Sequence, residues 1–174
     1  DISSLGTESM ARIDDDKYIP ALAKMGKRVH EAASDVKIGI QLMHEGRAMR
    51  PAEAGAAKNI KPMAPSPIKF KFGVVPHELT IAEIKHLESQ FIEAARRVKD
   101  AGYDCVEIHG AHGYLIGSFM SPYTNRRSDK YGGNPENGSR FACEIIEGIK
   151  KKCGKDFPVL IKVNALDRLD KNEA

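Results

Sequence analysis

Residues 102–114, Gly-Tyr-Asp-Cys-Val-Glu-Ile-His-Gly-Ala-His-Gly-Tyr, constrain this chain more than any other stretch. Val106 and Ile108 are β-formers on one parity, and Glu107 and His109 fall on the other. A strand over 104–108 therefore separates an apolar face from a polar one. His112 and Tyr114 lie in the turn that follows. Two imidazoles and a phenol within six residues of a strand's C-terminal end concentrate proton donors there. Spacing alone leaves the His109/His112 pair open, because histidines three apart also serve structural roles. A zinc site is the weaker reading, since helical zinc ligands sit four apart and no suitable third ligand is near.

Elsewhere the chain alternates helical and extended patterns. Asp14-Asp15-Asp16 followed by Ile19, Leu22, Met25 and Val29 predicts a helix with an acidic first turn and Pro20 near its start. Val36 to Leu42 alternates strictly, with Val36, Ile38, Ile40 and Leu42 on one face, and runs into His44-Glu45-Gly46-Arg47. Residues 48–78 hold no period and are broken by Pro51, Pro62, Pro65, Pro67 and Pro76. Within them Ile68–Phe72 reads as a short hairpin arm, and the whole reads as a lid or a solvated connector. Thr80 and Glu83 form a capping box that starts a helix running to Lys99, and Gly102 ends it. A loop is expected over 110–133. Asn134-Pro135 opens the next helix, with Phe141, Ile145 and Ile149 as its buried stripe and Gly154 as its stop. A last strand covers Pro158–Asn164. The α-β-α-β-α-β order predicts a parallel sheet with helical crossovers.

Composition narrows the class. A length of 174 residues suits one domain, 1–174, and 41% apolar residues can build a core. A net charge of +3 with interspersed signs carries no nucleic-acid footprint. No apolar run approaches a membrane span, and the opening DISSLGTESM has neither the basic nor the apolar region of a signal peptide. Cys105, Cys143 and Cys153 are widely spaced without a CxxC, which argues for a reducing cytoplasm and against disulfides or iron–sulfur ligation within the chain. The chain starts in a polar turn without Met, which suggests a missing piece.

Four motifs in order, QLMHEGR (41–47), VEIHGAHGYL (106–115), SPYTNRRSDKYGG (121–133) and ENGSRF (136–141), resemble the Old Yellow Enzyme family of FMN-dependent ene-reductases and NADH:flavin oxidoreductases. The resemblance runs from about Ile2 to Asp167. It implies part of a TIM (β/α)₈ barrel, about strands three to five, with strands one, two and six to eight absent from this chain. In such a barrel the apolar parities (36/38/40/42, 106/108, 159/161/163) meet helices. Gln41, Glu107, His109, Lys162 and Asn164 then face the interior, where Glu107 and Lys162 either pair or meet a ligand.

By resemblance, Gln41 matches a glutamine at the pyrimidine edge of FMN, and Lys162 stands where most members carry Arg near flavin N1 and O2. Lys supplies the charge without Arg's planar fork. His109 and His112 match the pair that holds a substrate carbonyl or an anionic ligand, and Tyr114 matches the proton donor. The implied activity is reduction of activated C=C bonds in enones and enoates, with NADH or NADPH as reductant. Arg126, Arg127 and Asp129 are expected to tie down their loop. Any phosphate-binding strands or iron–sulfur domain would lie outside these residues, so the chain alone is expected to be inactive and to self-associate through open strand edges. A non-catalytic half-barrel and a metal-dependent barrel hydrolase are the competing readings.

Overall fold

The computed structural model describes residues 11–49, 61–71 and 73–167. The polar start at 1–10, Pro51 and the Phe72 end of the expected hairpin arm lie outside the described residues.

Helix α1 (Ile19–Ala32) carries Pro20 in its first turn and buries Leu22 and Gly26. The acidic run precedes this helix and does not form its first turn. Asp14 takes the guanidinium of Arg12 at 2.6 Å, Asp15 caps a 3-10 turn over Asp16–Tyr18, and Asp16 binds Arg96 and Arg97 at 2.6 Å. Gly26 matters for a close approach: a β-carbon there would lie 3.3 Å from the Tyr103 ring, whose hydroxyl donates to the Leu22 carbonyl at 3.1 Å.

Strand β1 spans Gly39–Leu42, shorter than the alternation from Val36 predicts. The cause is the Asp104 carboxylate, which accepts the Ile38 N–H at 2.9 Å, together with His30 at 2.8 Å and Lys37 at 3.0 Å. A side chain takes the donor that a longer ladder would use, and Val36 is left exposed. Backbone and side-chain donors together hold the Asp104 carboxyl well below the usual carboxylate range.

Residues 68–71 form no strand, so the hairpin arm is not made. The segment instead contributes two short parallel strands, β2 (Met63–Ala64) and β3 (His77–Glu78). Helix α2 (Ile81–Asp100) starts at the predicted capping box: Thr80 Oγ1 accepts the Glu83 N–H at 3.2 Å, and the Glu83 carboxylate accepts the Thr80 N–H at 2.7 Å. Strand β4 follows over Cys105–Gly110. The loop expected over 110–133 contains a helix, α3 (Leu115–Met120), which buries Leu115, Ile116, Ser118 and Phe119. Helix α4 (Pro135–Cys153) is capped by Asn134, whose side chain accepts the Asn137 N–H at 2.8 Å, and it ends at Gly154 with φ +97°. Strand β5 is Val159–Val163.

The sheet is parallel in the order β1-β4-β5. Registered partners of a parallel ladder share a face. Ile40, Val106 and Val159 therefore lie on one face with Leu42, Ile108 and Ile161. Gln41, Glu107 and Leu160 lie on the other with His109 and Lys162. Val106 and Ile108 are fully buried in one core with Ile84, Leu87, Phe91, Phe141, Ile145 and Ile149 from α2 and α4. Ring contacts join those helices: Phe141 meets Phe91 edge-on at 6.4 Å between centroids and Phe119 at 4.6 Å. Leu160, Ile161 and Val163 of β5 remain exposed. Among the described residues no helix is long and apolar enough to cross a membrane.

The stretch between α3 and α4 is held by its own side chains. Thr124 donates to the Ser118 carbonyl at 2.7 Å, and Asn125 donates to the Phe119 and Tyr131 carbonyls at 2.7 Å. Arg127 is buried and donates to the Pro65 and Leu79 carbonyls at 3.0 and 2.6 Å while pairing with Asp129. A buried guanidinium needs such partners to offset desolvation. Arg140 of α4 reaches the Lys130 carbonyl at 2.6 Å. Tyr131, fully buried, donates to Glu144 at 2.7 Å beside Lys85, which bridges Glu88 and Glu144 at 2.8 Å each.

Phe141 sits at the junction of α2, α3 and α4, so Phe141→Ala should destabilise the protein by about 3–5 kcal/mol. Thr80→Ala removes only one cap and should cost about 1 kcal/mol. Urea denaturation of both variants, with the slope unchanged, checks the ranking.

Candidate active site

Strand β4 delivers the site. His109 follows Glu107 on the polar face, and the chain then turns sharply over Ala111–Tyr114, with the Tyr114 N–H donating to the Ala111 carbonyl at 3.1 Å. Both central residues have positive φ, +58° at His112 and +70° at Gly113. Glycine takes that conformation freely, whereas for a side chain such as His112 it costs about 1–2 kcal/mol. Strain of this kind persists where surrounding contacts over-determine it.

Those contacts come from three directions. The His112 N–H donates to Asn164 Oδ1 at 3.1 Å, just beyond β5. The Leu115 N–H donates to the His44 carbonyl at 3.0 Å, from the loop after β1. Gly46, with φ +59°, lets that loop approach so closely that a β-carbon would lie 2.8 Å from Leu115 Cα. On the third side Phe70 stands 3.3 Å from the β-carbon position of Gly113. Phe70 is itself held by Arg47, which donates to the Ile68 and Lys69 carbonyls at 3.3 and 3.1 Å and lies 5.3 Å from the Phe70 ring centre.

The turn brings three rings together. His109 and His112 are 5.0 Å apart between centroids, His109 and Tyr114 are 4.9 Å apart, and His112 and Tyr114 are 6.3 Å apart. His109 is 5% exposed, and His112 is exposed. Burial, then the nearby His112 and Lys162, push the His109 imidazolium pKa down, which favours the neutral ring. His109 Nδ1 accepts the Ala111 N–H at 3.2 Å. A neutral imidazole accepting at Nδ1 carries its proton on Nε2, so His109 presents a hydrogen-bond donor there.

Lys162 is the registered neighbour of His109 and is exposed. Gln41 donates through Nε2 to Glu107 Oε1 across the β1–β4 ladder. Of the two fates open to Glu107 in sequence, pairing with Lys162 is not the one observed: among the described residues its partner is Gln41. Gln41 keeps its second amide N–H and its carbonyl for another group. A neutral amide and an ammonium on one face fit the pyrimidine edge of a flavin, which offers both donors and acceptors and gains negative charge on reduction. Among the described residues, no three His, Cys, Asp or Glu side chains are grouped to hold a metal ion.

Sequence reasoning brought Gln41, His109, His112, Tyr114 and Lys162 to one face and one strand end. It assigned no part to His44 or Phe70. Gly46, directly before Arg47 and two residues after His44, was the available signal for a close backbone approach. Nothing in the pattern of residues 48–78 points to Phe70.

Parallel strands that end in a polar cluster have the design of an α/β enzyme whose ligand sits beyond the C-terminal strand ends. Over residues 1–174 the chain matches the NADH:flavin oxidoreductase / NADH oxidase family, and it belongs to that family. It is 46% identical over 155 residues to the NADH oxidase of Thermoanaerobacter brockii, covering 88% of this chain and 23% of that protein. With the NADPH dehydrogenase of Bacillus subtilis it shares 43% identity over 157 residues, 90% of this chain and 43% of that protein. The chain thus spans less than half the length of these curated relatives. Among solved structures, Old Yellow Enzyme from Pichia superposes with a TM-score of 0.77 at 30% identity, over 87% of this chain and 41% of that one. Morphinone reductase superposes with a TM-score of 0.82 at 28% identity, over 94% and 46%.

His44 gives a pH test of the scaffold beneath the turn. It is buried, and burial pushes its pKa from 6.5 down to about 3. Its Nδ1 accepts the Gly46 N–H at 3.0 Å, so the folded protein holds it neutral. Between pH 6.5 and about 3 the unfolded chain binds the proton that the folded one refuses. Stability from this residue is therefore complete above pH 6.5 and declines as pH falls towards 3. His44→Asn, which keeps an acceptor near the Nδ1 position but does not titrate, should flatten that decline in urea melts run from pH 7 to pH 4.

Proposed function

We propose that the whole protein containing this chain is an FMN-dependent oxidoreductase that reduces activated C=C bonds of enones or enoates with NAD(P)H. Residues 1–174 would form, as one domain, about strands three to five of its (β/α)₈ barrel, and the enzyme would work in the cytoplasm. The observation that carries the reading is the cluster of His109, His112 and Tyr114 at the end of β4, on the face that also holds Gln41 and Lys162. Family membership supports the flavin and the nicotinamide. The named activities of the relatives, NADH oxidase and NADPH dehydrogenase, agree with them.

Gln41 and Lys162 would hold the pyrimidine edge of FMN, and the chemistry that bound FMN supplies is hydride transfer to the substrate's β-carbon. Lys162 would bring a positive charge to the bound flavin, which favours its anionic reduced state. His109, donating through Nε2–H, and His112 hold the substrate carbonyl oxygen as it gains negative charge. Tyr114 gives its phenolic proton to the α-carbon. The strained turn fixes the spacing of these three rings before substrate arrives, so no reorganisation is required at the moment of reaction.

Tyr114→Phe in the full-length protein separates proton transfer from binding, because it keeps the ring and removes the donor. Flavin reduction by NAD(P)H should stay near wild type, and alkene reduction should fall by about 10²–10⁴-fold, the usual worth of one positioned general acid. Stopped-flow absorbance reads each half-reaction. Equal slowing of both would remove Tyr114 from the role of proton donor.

A further inference from the structure

The turn carrying His112 and Tyr114 is specified partly from another strand. Of the N–H groups that follow Gly110, those of Ala111 and Tyr114 are taken within the turn itself, by His109 Nδ1 and the Ala111 carbonyl. Leu115 is taken by a main-chain carbonyl, that of His44. The His112 N–H differs: its acceptor is the side chain of a residue outside the turn, Asn164 Oδ1, 52 residues away in sequence. Asn164 directly follows β5, whose last rung pairs Val163 with Gly110, so a paired strand sets the position of the acceptor. The other end of the same amide donates through Nδ2 to Asp167 Oδ1 at 3.2 Å. That contact orients the amide, leaving its carbonyl for His112.

We propose that Asn164 is a positioning residue for this site: its carbonyl holds His112 in the left-handed conformation that brings the His112 imidazole to His109 and Tyr114. Without that acceptor, His112 loses the one contact made to its own N–H, and the neighbours that remain act on Gly113, Tyr114 and Leu115 rather than on His112. The imidazole then samples positions away from His109, and a substrate oxygen loses one of its two ring donors for part of the time. The inference rests on the proposed roles of His109 and His112.

The test uses full-length protein loaded with FMN, with phenol as the probe of the imidazole pair, read by its perturbation of the flavin absorption spectrum. Asn164→Ala should weaken phenol binding and slow the alkene half-reaction, each by about 5–10-fold, the net worth of one hydrogen bond. FMN content and the rate of flavin reduction by NAD(P)H should match wild type. Asn164→Asp combined with Asp167→Asn exchanges amide and carboxylate, keeps an acceptor for the His112 N–H and a hydrogen bond between the two side chains, and should restore the alkene half-reaction. Wild-type behaviour of Asn164→Ala in both measurements overturns the inference, as does an exchange variant (Asn164→Asp with Asp167→Asn) as slow as the alanine one. Loss of FMN from Asn164→Ala also overturns it, by assigning the residue to the fold or the cofactor. Wild-type protein that neither responds to phenol nor reduces an alkene would overturn the functional reading itself, a result distinguishable from the other three.

Discussion

Strand β4 is paired on both edges and sorted by parity, and the rest of the molecule depends on that sorting. Val106 and Ile108 have no exposure to solvent, because α2 and α4 cover their face. Each such side chain contributes about 1.5–3 kcal/mol through burial. A one-residue slip in register would send both to the polar face and bring Glu107 and His109 into the core. The hydrophobic term that fixes the sheet therefore also fixes which way the polar groups point. The strand ends where its last side chains can reach a ligand.

Two different physical devices then build the site from that strand. Ladder register puts Lys162 beside His109 and Gln41 beside Glu107, with no local strain. The turn works in the opposite way: His112 is forced to positive φ and is held there by neighbours from β5 and from the loop after β1. The motif over residues 121–133 belongs to neither device. Thr124 and Asn125 tie this stretch to α3, and Arg127 ties it to the Pro65 and Leu79 carbonyls, so it is scaffold beside the site.

The parts legible in sequence are those governed by local chemistry. The Thr80/Glu83 box and the Asn134-Pro135 start cap real helices because capping depends on three or four adjacent residues. Strand parity was legible at 106–109 because alternation needs only neighbours. What failed depended on distant partners. Helix α3 has six residues and is buried on more than one side, so it offers no amphipathic stripe. The expected strand start at Val36 moved to Gly39 because Asp104, far along the chain, binds the Ile38 N–H. Ile68 and Lys69 turn their carbonyls to Arg47 in place of a strand partner. The candidate site residues stood out only once four separate motifs were read together. Spacing alone left the His109/His112 pair open, because what brings the two rings together is the turn over Ala111–Tyr114, with positive φ at His112 and Gly113.

The central claim is that the His109/His112/Tyr114 cluster is where substrate meets a flavin bound along Gln41 and Lys162. A crystal structure of the full-length protein with FMN and a bound phenol tests it most directly. The account predicts the phenol oxygen within hydrogen-bond distance of His109 Nε2 and of the His112 ring, with the phenol stacked on the flavin and the amide of Gln41 at its pyrimidine edge. A flavin bound elsewhere, or a phenol oxygen that touches neither imidazole, would contradict the account.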